Sequence, residues 1–143
     1  MATEGYVGPA VDFALLADSV QAVQGKLYVL GGGWDTLFVS GFPARHHTMA
    51  IGLRMRVPWT SSSTTVKVEV DLQDADGHSL LPQAVSHSFT ASSQRSMDRA
   101  DIGVIRSFTF NNLTFESEGD YSFVVSLNGE VAERLRFVVR KRR

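Results

Sequence analysis

The residues best suited to bind a cation lie in one short acidic segment. Asp71, Asp74 and Asp76 offer carboxylate oxygens close together in the sequence, and oxygen is the ligand that Ca²⁺ prefers. An EF-hand loop also needs a glutamate at its twelfth position, which the sequence does not supply here. The pair Asp76-Gly77 is typical of a β-hairpin turn. We therefore interpret the segment as an exposed turn, with Asp74 and Asp76 as candidate calcium ligands.

The other residue types that support catalysis do not form a recognisable constellation. Adjacent side chains of a strand point to opposite faces, so His46 and His47 cannot both ligate one ion. Ser86 and His87 diverge for the same reason, and no Gly-x-Ser-x-Gly elbow is present. The chain has no cysteine, which removes thiolate nucleophiles and disulfides. We therefore expect no catalytic residue and no cofactor, and we predict that the protein is not an enzyme.

A run of three glycines, Gly31 to Gly33, could suggest a phosphate-binding loop. Such loops need G-x-G-x-x-G at the start of a helix, whose first amides hold the phosphate. Here Trp34-Asp35 and a further strand pattern follow instead. We expect a bulge or a bend in a strand.

The last strand pattern ends in a concentration of positive charge. Six basic residues occur in ten positions: Arg134, Arg136, Arg140, Lys141, Arg142 and Arg143. The first three share one face of a strand, which is expected to point outward. Such charges either keep an edge strand from pairing with other sheets or complement a partner. Nucleic acid is disfavoured as that partner, because neither interleaved aromatics nor a recognition element is visible. If the charges complement a partner, we expect that partner to be another protein or a second copy of the chain.

The two tryptophans leave two interpretations open. Trp34 and Trp59 each follow the end of a strand pattern. They could form an exposed platform for a sugar or a partner, or they could fill the core of a sandwich.

The elements that must position these residues are strands. Met49 to Val57 and Val66 to Leu72 alternate apolar and polar residues, and Gly119-Asp120-Tyr121 resembles the tyrosine corner of immunoglobulin-like domains. The Tyr121 hydroxyl should bond to the backbone within residues 115–117. We predict an all-β fold, an immunoglobulin-like Greek-key β-sandwich of about seven to nine strands.

Four local features are less regular. Residues 13–20 are interpreted as an edge strand, and residues 92–101 as a polar loop. Asn111-Asn112 should shift the parity of its strand, because Leu113 and Phe115 would otherwise point outward. In the last strand four residues should be buried: Val131, Leu135, Phe137 and Val139.

Length and composition fit one globular domain. The 143 residues carry a net charge of −1 and 43% hydrophobic residues, so we predict an arm over 1–10, one sandwich over 11–140 and a basic tail over 141–143. No stretch resembles a membrane span. The N-terminus lacks the pattern of a secretory signal, which together with the missing cysteines predicts a cytoplasmic location.

The chain also resembles a known family. The runs Ala14 to Val20 and Gly25 to Asp35, followed by Phe42-Pro43-Ala44 and the Asp74-to-Gly77 hairpin, are similar to a family of uncharacterised bacterial proteins, the domain of unknown function DUF6941. The chain departs from that pattern at Ala17, where cysteine is common, and at 32–34, where an aliphatic-aromatic pair is usual. The resemblance implies an immunoglobulin-like β-sandwich with no assigned activity.

These observations favour a non-enzymatic protein-interaction or structural assembly module, in which the six basic residues and the tryptophans make contacts. The alternative is a small-ligand module for carbohydrate or calcium, with rim loops that use Trp34, Trp59, Asp74 and Asp76.

Overall fold

The computed structural model describes residues 8–59, 63–92 and 100–143, which form two sheets. The sheet orders are β2-β1-β4-β7 and β3-β9-β8-β5-β6, and every pair is antiparallel except β3 with β9. The strands are β1 (Ala10–Val23), β2 (Lys26–Gly32), β3 (Thr36–Val39), β4 (Ala44–Val57), β5 (Thr64–Asp74), β6 (Val85–Ala91), β7 (Ile102–Phe115), β8 (Gly119–Leu127) and β9 (Glu130–Lys141). These nine strands confirm the all-β class and the predicted strand number. Most of the predicted arm and of the polar loop over 92–101 lies outside the described residues.

The core fills the space between the two sheets. Strict alternation along β4 and β5 places every second side chain inward, and those side chains are almost fully buried. They are Met49, Ile51, Leu53, Met55, Val66, Val68, Val70 and Leu72. The described residues form no helix that could span a lipid bilayer.

The end of the core at which β7 finishes and β8 begins is aromatic. The ring of Phe137 in β9 lies 5.9 Å from Phe115 of the opposite sheet, 5.9 Å from Tyr121 and 5.7 Å from Phe123. Tyr121 is 5% exposed, and its hydroxyl donates a 2.7 Å hydrogen bond to the carbonyl oxygen of Ser117. The predicted tyrosine-corner bond is therefore confirmed.

A bulge in β9 decides which of its side chains point inward. Asn128 and Gly129 form the turn from β8, with φ of 52° and 84°. Ser126 then pairs with Val131 but Val125 pairs with Glu133, so one extra residue is inserted in β9. The prediction that Val131 is buried is wrong, because the bulge turns it outward, and it is 54% exposed.

A second irregularity lies in β7. Asn112 has a φ of 56°, and the pairing with β4 skips one residue on each strand there. Phe108 and Phe110 before it and Leu113 and Phe115 after it are all buried. The predicted parity shift is confirmed.

The first two strands form a hairpin. Gln24 and Gly25 make its turn, with φ of 51° and 74°. The predicted edge position is wrong for residues 17–20, because β2 pairs with that part of β1 and becomes the edge itself; the pairing with β2 begins only at Ala17, so it does not cover residues 13–16. Gly31 and Gly33 have φ of 64° and 88°, so the bend predicted at the glycine run is present.

This hairpin covers part of the outer face of the four-stranded sheet. Ala17 and Ala50 are fully buried although they point away from the main core, and Val20 completes this small second cluster. A Cβ atom on Gly52 would lie 3.0 Å from a Val20 methyl group and 3.1 Å from one of Leu27. A side chain at this position would therefore require Val20 and Leu27 to shift by a few tenths of an ångström.

The Tyr121 hydroxyl gives a test of the corner. We expect Tyr121→Phe to lower the free energy of unfolding by about 1 kcal/mol, because one net hydrogen bond is lost while ring packing is kept. Urea unfolding followed by fluorescence measures this change. Tyr28→Phe is the matched control, since Tyr28 is 57% exposed, and it should be neutral. Equal stability of the two variants would contradict the role of the corner.

Candidate functional site

The outer face of the five-stranded sheet carries the arginines singled out in the sequence. Because Leu135 and Phe137 point inward, Arg134 and Arg136 must point outward, and both are exposed. They lie opposite Val124 and Ser122 of β8 in the strand pairing. The outer face of β9 is therefore basic along its centre.

A groove runs over this face beside the two arginines. Its volume is about 600 Å³. It is bounded by the start of β3 on one side and by the β5–β6 turn on the other. Its polar lining consists of Asp35, Thr36, Gln73, Asp74, Asp120, Ser122, Arg134 and Arg136. The groove can therefore contact a ligand through both charges and neutral hydrogen-bonding groups.

The guanidinium groups of the groove have no ion-pair partner among the described residues, whereas the Asp74 carboxylate lies 3.6 Å from His78 Nδ1. Neither Arg134 nor Arg136 makes a side-chain ion pair with another residue in the described ranges. The Arg134 backbone amide donates to a Glu133 carboxylate oxygen, but that contact leaves its guanidinium free. Two guanidinium groups therefore face the groove with donors available for an anion.

The acidic residues of the groove are partly engaged. Asp74 Oδ1 accepts hydrogen bonds from the backbone amides of Asp76 and His78, each 2.9 Å long. The His78 amide bond is the largest cause of a lowered Asp74 pKa, and the Asp76 amide adds to it. Asp35 accepts a bond from the Thr36 hydroxyl. The predicted Asp-Gly turn is present, and the Asp74 carboxylate holds it.

The turn also brings together three potential metal ligands. Asp74, Asp76 and His78 have ligand atoms within 4.8 Å of one another. Asp71 is not part of this group, because its carboxylate accepts bonds from Ser79 and Gln73. The described cluster offers three donors, and one of its carboxylates already stabilises the turn.

The tryptophans lie apart from each other. Trp34 packs against the main core and meets the Phe137 ring edge to face at 6.3 Å. Its Nε1 is buried with no hydrogen-bond partner in the described structure. The core interpretation is therefore confirmed for Trp34. Trp59 is half-buried, and its backbone amide donates to Asp101, away from the groove lining.

The four histidines do not form one cluster in the described structure. His87 Nε2 accepts a 3.3 Å hydrogen bond from Arg106, whose guanidinium also lies over the Phe89 ring. His46 is half-buried and His47 is exposed on the neighbouring position. Of the four, only His78 lies in a potential ligand cluster of the described structure.

The remaining basic residues continue the outer face toward β3. Arg140 pairs with Phe38, a residue that is 53% exposed. Lys141 ends β9, and its amide donates to a Glu118 carboxylate. The Arg142 amide donates to the Val39 carbonyl. Of the six basic residues, Arg134 and Arg136 therefore line the groove, and the others follow at the end of β9, where it pairs with β3.

Sequence reasoning missed the residues opposite the arginines. Gln73 pairs with Ser122, and Ser122 pairs with Arg136, so three strands supply one row of the groove. The outward alternation of Ser122 is visible in the sequence, but its neighbours depend on the order of the strands.

Residues 12–140 match the family described as "Family of unknown function (DUF6941)", so the chain belongs to this family. No curated protein sequence matches the chain.

The solved structures that match the chain share little sequence with it. The alkylpurine DNA glycosylase AlkC of Pseudomonas fluorescens, bound to DNA containing an abasic site analog, has a TM-score of 0.53 at 11% identity; the match covers 94% of this chain but 31% of that one. The C-terminal domain of wzt has a TM-score of 0.45 at 16% identity, with 97% and 77% coverage. A β-glucuronidase from glycoside hydrolase family 2 has a TM-score of 0.37 at 9% identity, with 99% and 12% coverage. The chain thus spans about a third of the length of the glycosylase, and that likeness concerns the fold alone.

The lowered Asp74 pKa predicts how stability depends on pH. A carboxyl group whose pKa is lower in the folded state stabilises the protein above its unfolded-state value, here about 3.8, and loses that contribution as the pH falls through the folded-state pKa. Asp74→Asn keeps an oxygen acceptor but removes the titration. Urea midpoints measured from neutral pH to below pH 3.8 should therefore fall more steeply for the wild type than for Asp74→Asn. Parallel curves would contradict this role of Asp74.

Proposed function

We propose that this DUF6941 member is a non-enzymatic protein-interaction module that binds an acidic, extended segment of a partner in the groove of its five-stranded sheet. The observation that carries the proposal is the pair of guanidinium groups of Arg134 and Arg136 at the groove, which make no ion pair with any residue that the structure describes. Charge-assisted hydrogen bonds from arginine to carboxylate are among the strongest polar contacts in proteins.

The spacing of the two arginines supports an extended partner. Alternate residues of a strand lie about 7 Å apart on the same face. Carboxylates at alternate positions of an extended peptide have the same repeat, so each can meet one guanidinium. Val138 lines the groove beside the arginines and is half-buried, so it is available for an apolar contact, whereas Val124 is 5% exposed. At the other end of the groove, Asp120 and Gln73 can accept hydrogen bonds from the peptide backbone.

An acidic segment fits this surface better than a sugar. Sugar sites commonly stack an exposed aromatic ring on the ligand, whereas Trp34 is turned into the core and Phe137 is 1% exposed. The Arg140–Phe38 neighbourhood lies on the same outer face, where it extends the contact surface for a protein partner.

The proposal includes an immunoglobulin-like class for the scaffold. Three features support it: β4 pairs with β7 in one sheet, β5, β8 and β9 are neighbours in the other, and a tyrosine corner opens β8. The intervening β5–β6 hairpin belongs to the second sheet, which is the crossing expected of a Greek key. The short parallel pairing of β3 with β9 closes the edge of that sheet.

The alternative function is a calcium-binding module. It is favoured by Asp35 and Asp120, which lie in the same groove as the turn that bears Asp74. If calcium binds there, CaCl₂ should raise the melting temperature of the wild type, and Asp76→Asn should reduce that rise. An unchanged melting temperature would remove this alternative.

The acidic-segment proposal predicts a selective loss of binding. The probe is a fluorescent peptide with glutamates at alternate positions, followed by anisotropy. Arg136→Glu should weaken binding roughly 10-fold or more, because a charge-assisted hydrogen bond contributes about 1.5–3 kcal/mol. Binding should also weaken as salt is added.

Two controls separate recognition from general charge attraction. Arg45→Glu changes the net charge equally at an exposed site of the other sheet, and it should leave the affinity within about twofold. A peptide with the same glutamates grouped at one end should bind more weakly than the alternating one. Equal losses in Arg45→Glu and Arg136→Glu, or equal affinity for both peptides, would overturn the proposed mode of binding.

A further inference from the structure

We propose that two copies of this chain pair through their β2 strands, in antiparallel register centred on Val29, to form one continuous eight-stranded sheet. This surface belongs to the other sheet from the groove, so the inference does not depend on the proposed function. The argument rests on the exposure of β2 and on the symmetry of its residues.

The β2 strand has one unpaired edge and apolar side chains on both faces. In the described structure β1 is the only strand that hydrogen-bonds to β2, although β2 also approaches β7. Tyr28 is 57%, Val29 41% and Leu30 72% exposed. An exposed apolar edge of this kind pairs readily with another strand unless it is protected.

The other three edge strands have such protection. β3 is four residues long, and the outer end of β6 alternates through Ser86, His87 and Ser88. In β7, Arg106 contacts His87 of β6 and so links the two edges on that side of the sandwich. In β2 the single charged residue is Lys26, at the first position. The β2 edge is thus distinct from the other three.

The neighbours of β2 within the chain leave its apolar residues uncovered. Tyr28 and Leu30 share a face, where β1 places Gln21 and Ser19 opposite them. Both of these β1 residues are polar and exposed. The residues directly opposite Tyr28 and Leu30 are therefore polar, so an apolar strand on the free edge would add contacts that β1 does not make.

A second copy supplies them through symmetry. Val29 is the middle residue of the seven in β2, so a two-fold axis at Val29 centres the pairing on residues 28–30 and leaves the bend at Gly31, which has a φ of 64°, toward the end of the strand. Tyr28 of each copy then lies opposite Leu30 of the other, and aromatic–aliphatic pairs stabilise antiparallel strands. Lys26 lies opposite Gly32, so the two lysines do not repel each other. The strand is complementary to itself in this register.

The absence of cysteine in the chain permits a direct test of the register. Directly opposed antiparallel residues have Cα atoms about 4.5–5.5 Å apart, within the range of a disulfide. Val29→Cys should therefore form a covalent dimer under mild oxidation. Lys26→Cys is the matched control, because its two copies would lie roughly 20 Å apart, and it should crosslink far less.

Sedimentation of the full chain tests the assembly itself. The wild type should form a species of twice the 15.7 kDa chain mass as concentration rises. Leu30→Lys, with Tyr28→Lys as a second variant, should weaken this dimer roughly 10-fold or more, since a charge enters an apolar contact. Val131→Lys, the same type of change at another exposed residue, should not weaken it. Circular dichroism confirms that each variant is folded.

Three results would overturn the proposal. The first is a wild type that stays monomeric at all concentrations. The second is a dimer that persists unchanged in Leu30→Lys. The third is equal crosslinking of Lys26→Cys and Val29→Cys. A crosslinked Val29→Cys dimer together with loss of dimer in Leu30→Lys supports it, whatever the peptide-binding result at the groove.

Discussion

The burial of Phe137 is the constraint on which the rest of the structure depends. Its ring contacts Phe115 of the opposite sheet, Tyr121 and Phe123 of β8, and Trp34 before β3. Aromatic pairs of this geometry each contribute about 0.5–1.5 kcal/mol beyond the burial of their surface. One side chain thus joins both sheets and the segment that leads into β3. Moving it outward would remove the ring contacts between the two sheets at this end of the sandwich.

The inward position of Phe137 has an electrostatic consequence. Side chains alternate along a strand, so the same registration that buries Phe137 exposes Arg134 and Arg136. The bulge near Ala132 sets this register. Without the extra residue, the side chains of β9 that now point inward would point outward, and the outward ones would point inward. The charge of the groove and the packing of the core are therefore two results of one insertion. A change that removed the bulge would bury two guanidinium groups.

The sequence predicts most strands because their signal is local. Met49 to Val57 and Val66 to Leu72 alternate over enough residues to identify buried strands, and the tyrosine corner follows from a short motif. The outward position of Val131 and the internal position of β1 could not be predicted, since each depends on a neighbouring strand. The complete groove could not be predicted from the sequence either. Its basic residues are visible in β9, but Gln73 and Ser122 join them only through the order β9-β8-β5.

The β1–β2 hairpin has its own small cluster of buried residues, separate from the main core. This cluster consists of Ala17, Val20 and Ala50, with Leu27 lying over Gly52, while Leu16 of β1 belongs to the main core. Few apolar contacts and an exposed edge are the properties of a segment that opens locally, without global unfolding. Backbone amides of the hairpin should then exchange with solvent faster than those of β4, β5 and β8. The small size of Gly52 thus allows the hairpin to pack closely on β4. We expect the hairpin to open as a separate cooperative unit. A strand that pairs with the hairpin would increase its order.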